Sequence, residues 1–249
     1  MEAKKRIYGL LCVLLLVVIC VAAWQVVQIL LEYRAGEQTY AQLAELSVPR
    51  QEPEETAAGQ RTSTRDFTAL QAVNPDVLAW ITVPNTGIDY PVVQGEDNQH
   101  YLNHLVTGEW NKSGSIFLDC QAAPDFSDPY SIIYGHNMLN GTMFSSLMDY
   151  KSQDFYDKHP VGVLETPHAQ YEIVFFAGFV AHVEHAVWNT GLSAEELPIW
   201  AAEIQRQSWF QSSVVPSSED TIIALATCSY EFNNARFVLL GILNETSDV

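Results

Sequence analysis

Apolar positions fall into three regimes along the chain. From Ile7 to Leu31 they are nearly continuous, 25 residues without a charge, preceded by Lys4-Lys5-Arg6. As a helix rising about 1.5 Å per residue, this run reaches roughly 37 Å, enough for a hydrocarbon core of about 30 Å. From Glu32 to Leu46 charges return, and Tyr33, Tyr40, Leu43 and Leu46 mark a polar helical stretch. Pro49 to Asp66 has no apolar side chain except alanine, the composition of a flexible linker.

The third regime consists of short apolar runs. Val, Ile, Phe and Tyr cluster at Leu78–Val83, Ile88–Val93, Ser115–Leu118, Ser131–Tyr134, Val161–Leu164, Tyr171–Val180, Thr221–Ala226 and Arg236–Leu243, with Pro, Gly, Asn and Asp between them. Eight such runs predict a mainly β fold, an eight-stranded barrel closed or nearly closed so that few edges stay open. Short helices are expected at Phe67–Val73, Asn98–His104 and Met143–Asp149. A longer one is expected at about Ala194–Phe210, with Leu197, Trp200, Ala201 and Ile204 on one face and Ser193 and Glu196 as a capping box. Pro198 moves its regular start toward that residue. The resulting division is a tail (1–6), a membrane anchor (7–31), an outer helix with linker (32–65) and a folded catalytic unit (66–249).

Charge places these parts. Basic residues on the short side of the apolar run put the N-terminus in the cytoplasm and everything after Glu32 outside. Val21-Ala22-Ala23 resembles a signal-peptidase site, but the apolar run continues eight residues past Ala23, longer than a cleaved signal requires. A single-pass anchor in the cell membrane is therefore the expectation. Beyond Leu31 there are 9 basic and 29 acidic residues, a formal charge of −20; general nucleic-acid binding, which needs clustered cations, is excluded. Four cysteines without a CxxC pair provide neither a disulfide scaffold nor a zinc or dithiol site.

Three residues carry candidate chemistry. Cys228 ends the apolar run that begins at Thr221, Arg236 opens the next run eight residues later, and His136 follows Ile133-Tyr134-Gly135. If the two final strands pair across the intervening loop, Arg236 returns beside Cys228 at a barrel rim. A thiolate, an imidazole and a guanidinium suffice for acyl transfer: attack on a carbonyl, protonation of the departing amine and stabilisation of the oxyanion. Nearby cations also favour thiolate over thiol. Taken singly, each residue has an ordinary structural explanation: a buried thiol, a turn histidine, a salt-bridge arginine.

The surrounding residues add a resemblance. Ala224-Leu-Ala-Thr-Cys228, followed by Arg236, is similar to the TLxTC…R signature of sortases, membrane-anchored cysteine transpeptidases of Gram-positive bacteria. Tyr134-Gly-His136-Asn-Met with Asn140-Gly-Thr-Met-Phe resembles their histidine segment. Asn74-Pro-Asp-Val-Leu-Ala-Trp80-Ile, Ile88-Asp-Tyr-Pro-Val-Val93 and Gly114-Ser-Ile-Phe-Leu-Asp119 resemble the class B branch. The likeness runs from about residue 66 to 243. It implies a sortase-type barrel in which Cys228 is the nucleophile, His136 the acid/base, and Arg236 the oxyanion or substrate-positioning group. Asn98, Leu102 and Thr227 match segments that contribute to the substrate groove. The implied substrates are secreted proteins with a C-terminal sorting motif, cleaved after Thr, and the implied acceptor is a peptidoglycan amine.

Ala224 and Ala226 depart from the signature, standing where Thr and often Ser occur. Residues Ala181–Gly191 are expected to line the groove, with His182 and His185 as polar loop residues. Cys120 is expected to be a free thiol, since a bridge to Cys228 would remove the nucleophile. Cys12 and Cys20 fall in the span. His100 and His104, four apart, lack a third ligand and no dense acidic loop is present, so no metal and no cofactor are expected.

Overall fold

The computed structural model describes residues 2–48 and 64–246; all but the last three residues of the expected linker, 49–63, lie outside them. All eight expected strands form: β1 (Val77–Thr82), β2 (Asp89–Val93), β3 (Ile116–Leu118), β4 (Tyr130–Tyr134), β5 (Val161–Glu165), β6 (Gln170–His182), β7 (Thr221–Cys228) and β8 (Ala235–Glu245). They close into a barrel in the order β1-β2-β3-β4-β7-β8-β6-β5. β2 pairs parallel with β3, and β4 parallel with β7; every other pairing is antiparallel. Closure gives each of the eight strands a hydrogen-bonded neighbour on both sides.

Alternation along the strands builds two cores. On β7, Ile223 and Leu225 join the main core with Trp80, Ile116, Phe144 and Phe237. Ile222, Ala224 and Ala226 point the other way, into a second cluster with Tyr130, Val238 and the apolar face of a helix. That helix is α4 (Leu197–Gln205), and its buried residues are Leu197, Trp200, Ala201 and Ile204, the four expected. Two earlier helices are α2 (Phe67–Val73), with the expected bounds, and α3 (Gln153–Lys158), which lies outside the expected set.

α4 is shorter than expected. It starts beside Pro198, whose fixed φ and missing N–H suit the first turn. It ends early because the chain is pinned to β6: the Trp209 N–H donates to the Gly178 carbonyl, and the Gly178 N–H to Ser208 Oγ. The capping box is half made. The Glu196 carboxylate accepts the Ser193 N–H, but Ser193 Oγ donates to that same carboxylate. The helices expected at Asn98–His104 and Met143–Asp149 are 3-10 turns, His100–Leu102 and Ser145–Lys151.

The apolar run and the polar stretch after it form one unbroken helix, α1 (Glu2–Leu46). Every side chain from Ile7 to Leu31 is exposed, in a helix long and apolar enough to cross a membrane. Its last four turns dock on the barrel: Tyr40 and Leu43 are buried, and the Tyr40 hydroxyl donates to the Gly114 carbonyl. Burying two such side chains contributes about 1.5–3 kcal/mol each.

The end of the linker is also held. Arg65 stacks 4.1 Å over the Trp80 ring and pairs with Asp89 at 2.8 Å and Glu165 at 2.9 Å. Arg65 also donates to Ser47 Oγ at the end of α1, and Thr64 donates twice to Glu165. The partners of Arg65 are remote in sequence, so composition alone marks these residues as spacer.

Candidate active site

Three adjacent strands, β4, β7 and β8, carry the site. Tyr134 stands opposite Ala226, and Ala226 opposite Val238. Directly opposed residues share a face, and each strand alternates faces. One step further, Cys228 is opposite Arg236. Both therefore belong to the face of Ala224, Ala226 and Val238, the outer wall of the barrel, at the strand ends that form its rim. Cys228 and Cys120 are both free and partly exposed.

His136 is set by the turn that leaves β4. The Gly135 N–H donates to the Ala226 carbonyl at 3.0 Å, Thr227 Oγ1 donates to the Gly135 carbonyl at 2.8 Å, and Asn137 Nδ2 donates to the Cys228 carbonyl at 3.0 Å. These three bonds bracket His136 and stitch it to the end of β7. Position 135 must be glycine: a Cβ there would lie 2.4 Å from Ile116 Cδ1 and 2.7 Å from Phe144. The His136 ring donates from Nε2 to the Leu102 carbonyl at 2.7 Å, since a carbonyl can only accept.

These side chains line one cleft of about 290 Å³. All six residues singled out from the sequence (Cys228, His136, Arg236, Asn98, Leu102 and Thr227) lie on its wall. Arg236 donates to the Ala235 carbonyl at 2.9 Å, and among the described residues no carboxylate pairs with it. Thr227 is almost fully buried, and its hydroxyl donates to the Gly135 carbonyl. Ala226 adds a methyl group to the cleft lining.

Asn98 is held by both ends of its amide: Nδ2 donates to Asp119 Oδ2 at 2.9 Å, and Oδ1 accepts the Cys120 N–H at 2.8 Å. The Tyr134 hydroxyl donates to the same Asp119 oxygen at 3.0 Å. Burial first, and the Asp119 carboxylate second, push the Tyr134 phenol well above its ordinary pKa and keep it a donor. Asp119 and Tyr134 lie inside the quoted motifs, but only their spatial meeting gives them a role.

The wall from Ala181–Gly191 is now specific. Val183 and Trp188 line the cleft, and the Trp188 indole N–H donates to the His182 carbonyl at 2.8 Å. His182 and His185 shape the loop, as expected: each Nδ1 accepts a backbone N–H two residues ahead. Cys120 borders a separate cleft with Asp76, Gln94 and His100. The His100 and His104 rings are stacked 4.2 Å apart, and His104 Nδ1 donates to the His100 carbonyl. Cys228 leads into the loop before β8, where Glu231 contacts both Ser229 and Lys151.

Such a barrel, with thiol, imidazole and guanidinium on one outward cleft, holds the groups that acyl transfer through a cysteine requires. The Sortase domain model matches residues 81–243, and the chain belongs to the sortase family, with class B character. Sortase B of Listeria monocytogenes is 36% identical over 177 residues, covering 70% of this chain and 72% of that protein. A crystal structure of a Bacillus anthracis protein similar to sortase B superposes with a TM-score of 0.76 at 27% identity, covering 86% of this chain and 98% of that one. A crystal structure of sortase B complexed with triglycine superposes with a TM-score of 0.68 at 29% identity, covering 73% of this chain and 86% of that one.

Proposed function

We propose that this transpeptidase is held by α1 in the cell membrane, N-terminus inside, and joins secreted proteins to the cell wall. The observation that supports this best is the pairing of Cys228 with Arg236 on the outer barrel face, in the cleft that also receives His136. In the first half-reaction the Cys228 thiolate attacks the carbonyl carbon of the sorting-motif Thr. The oxyanion that forms is stabilised by the Arg236 guanidinium. His136 delivers a proton to the departing nitrogen, the C–N bond breaks, and a thioester remains on Cys228. An amine then attacks the thioester, His136 takes the amine's proton, the new amide forms and the thiolate leaves. The acyl energy is conserved throughout, so no ATP is consumed.

The acceptor is a peptidoglycan amine from a stem peptide or cross-bridge; the triglycine complexed with a related sortase B is an amine of this type. Asn98 and Leu102 form one side of the substrate groove, and Trp188 and Val183 the other. The hydroxyl-free floor at Ala226 bears on motif preference more than on chemistry. Neither nucleic acid nor a metal or cofactor enters the scheme.

The test is an assay of the purified protein with quenched-fluorescent sorting peptides, with and without an added glycine peptide. Transfer product that disappears in Cys228→Ala supports the proposal. Hydrolysis alone, unaffected by the amine, identifies an exported peptidase instead. A Cys228 that resists alkylation, in a protein inert to every peptide, identifies a binding domain.

A further inference from the structure

The loop Leu105–Ser113 is tied to α1 at the point where the apolar run ends. Glu32, the first charged residue after Leu31, accepts twice from it: its carbonyl from Asn111 Nδ2 at 3.0 Å, and its carboxylate from the Lys112 N–H at 2.9 Å. Lys112 Nζ also pairs with the Glu32 carboxylate at 3.4 Å. One turn further on, Gly36 is packed so closely that a Cβ would lie 3.3 Å from Ser113 Oγ. Because α1 is unbroken, the loop is fixed within about one helical turn, roughly 5.4 Å, of the end of the apolar run. Next to Asn111 stands Trp110, its side chain exposed although its backbone is bridged to His104.

We propose that this loop is a second membrane contact, with the Trp110 indole seated among lipid headgroups beside the exit of α1. The proposal rests on reading Ile7–Leu31 as the membrane anchor. An indole suits that depth because it has an apolar body and one N–H donor. Charge does not drive the contact. Lys112 is neutralised by Glu32, Glu109 in the same loop is a carboxylate engaged by the Thr107 hydroxyl, and the part beyond Leu31 carries −20. The consequence reaches the cleft. The Asn111 N–H donates to the Asn103 carbonyl, and Leu102 accepts from His136. A loop resting on the bilayer therefore holds one wall of the groove at a set height, where membrane-tethered substrates emerge.

The test uses the full chain reconstituted in phosphatidylcholine vesicles carrying brominated lipid, with bromine placed either near the headgroup or deep in the acyl chain. Trp24 lies within the apolar run, so Trp110→Phe reports the anchor through deep quenching of Trp24. W24F and W24F/W110F then isolate Trp110. Headgroup-level quenching in W24F that disappears in W24F/W110F, and is unchanged by adding phosphatidylglycerol, is the expected result. Equal quenching in those two variants, with Trp24 still quenched in Trp110→Phe, overturns the loop contact and leaves the anchor standing. Absence of deep quenching of Trp24 removes the anchor and the proposal together. Quenching that requires anionic lipid and vanishes in salt overturns insertion in favour of charge attraction.

Discussion

Cys228 and Arg236 face each other across the β7–β8 pair, the last residue of one strand against the second residue of the next. The six residues 229–234 between the strands form the loop that lets the chain return. A strand pair, not a flexible loop, therefore holds the guanidinium over the thiol's side of the sheet. Arg236→Lys keeps the charge but not the planar fork of donors. It should lower the acylation rate by about 10²-fold, the scale of losing one oxyanion donor. Single-turnover cleavage of a sorting peptide measures this. Unchanged alkylation of Cys228 would show that the strand end is intact, and near-native turnover would remove Arg236 from oxyanion stabilisation.

Thr227 has a structural tie besides its place on the cleft wall. Its hydroxyl ties β7 to the carbonyl of Gly135, the residue before His136. Thr227→Val keeps the shape and deletes the donor, leaving a part-buried carbonyl without this partner. A loss of about 1–2 kcal/mol in denaturant stability is expected, with kcat falling as His136 drifts and KM little changed. Undiminished stability with a raised KM would instead make Thr227 a substrate contact.

Much of this architecture is legible in the residue order, for reasons particular to each element. The barrel strands are short β-branched and aromatic runs bounded by Gly, Pro and Asn, so local pattern locates all eight. Cys228, His136 and Arg236 are visible because each sits at a strand boundary inside a distinctive motif. What local pattern misses is long-range. Arg65 binds Glu165 a hundred residues away, Asp119 joins Asn98 to Tyr134, and Trp188 enters the cleft from a loop with no periodicity. The choice between an α-helix and a 3-10 turn at His100–Leu102 and Ser145–Lys151 is likewise decided by surrounding packing.

The loop between β7 and β8 has an acid-sensitive fastening. Burial acts to raise the Glu231 carboxyl, but hydrogen bonds from Lys151 and Ser229 outweigh it and hold the group below its ordinary value of 4.5. Because the folded state favours the charged form, the contribution is complete above pH 4.5 and is lost as pH falls through the lower folded value. It is a partly exposed pair, worth under about 1 kcal/mol. Denaturant midpoints followed through the acid range should fall less steeply for Glu231→Gln than for the wild type. Parallel curves would show that the contact adds nothing.

Asp119 offers the sharpest separation of groove architecture from chemistry. One of its oxygens, Oδ2, accepts from both Tyr134 and Asn98, and the other accepts the Gln121 N–H. In Asp119→Asn one oxygen becomes an NH₂ group, and whichever way the amide is turned, a donor meets a donor. The Asn98 side of the cleft loosens, while the three bonds that fix the His136 turn to β7 remain. The expected result is a KM for the sorting peptide raised about five- to tenfold, equivalent to roughly 1–1.4 kcal/mol. The alkylation rate of Cys228 and its pH profile should not move, because nothing that touches the thiol has changed. If alkylation slows in step with peptide cleavage, Asp119 acts on the nucleophile itself and the wall-positioning role fails.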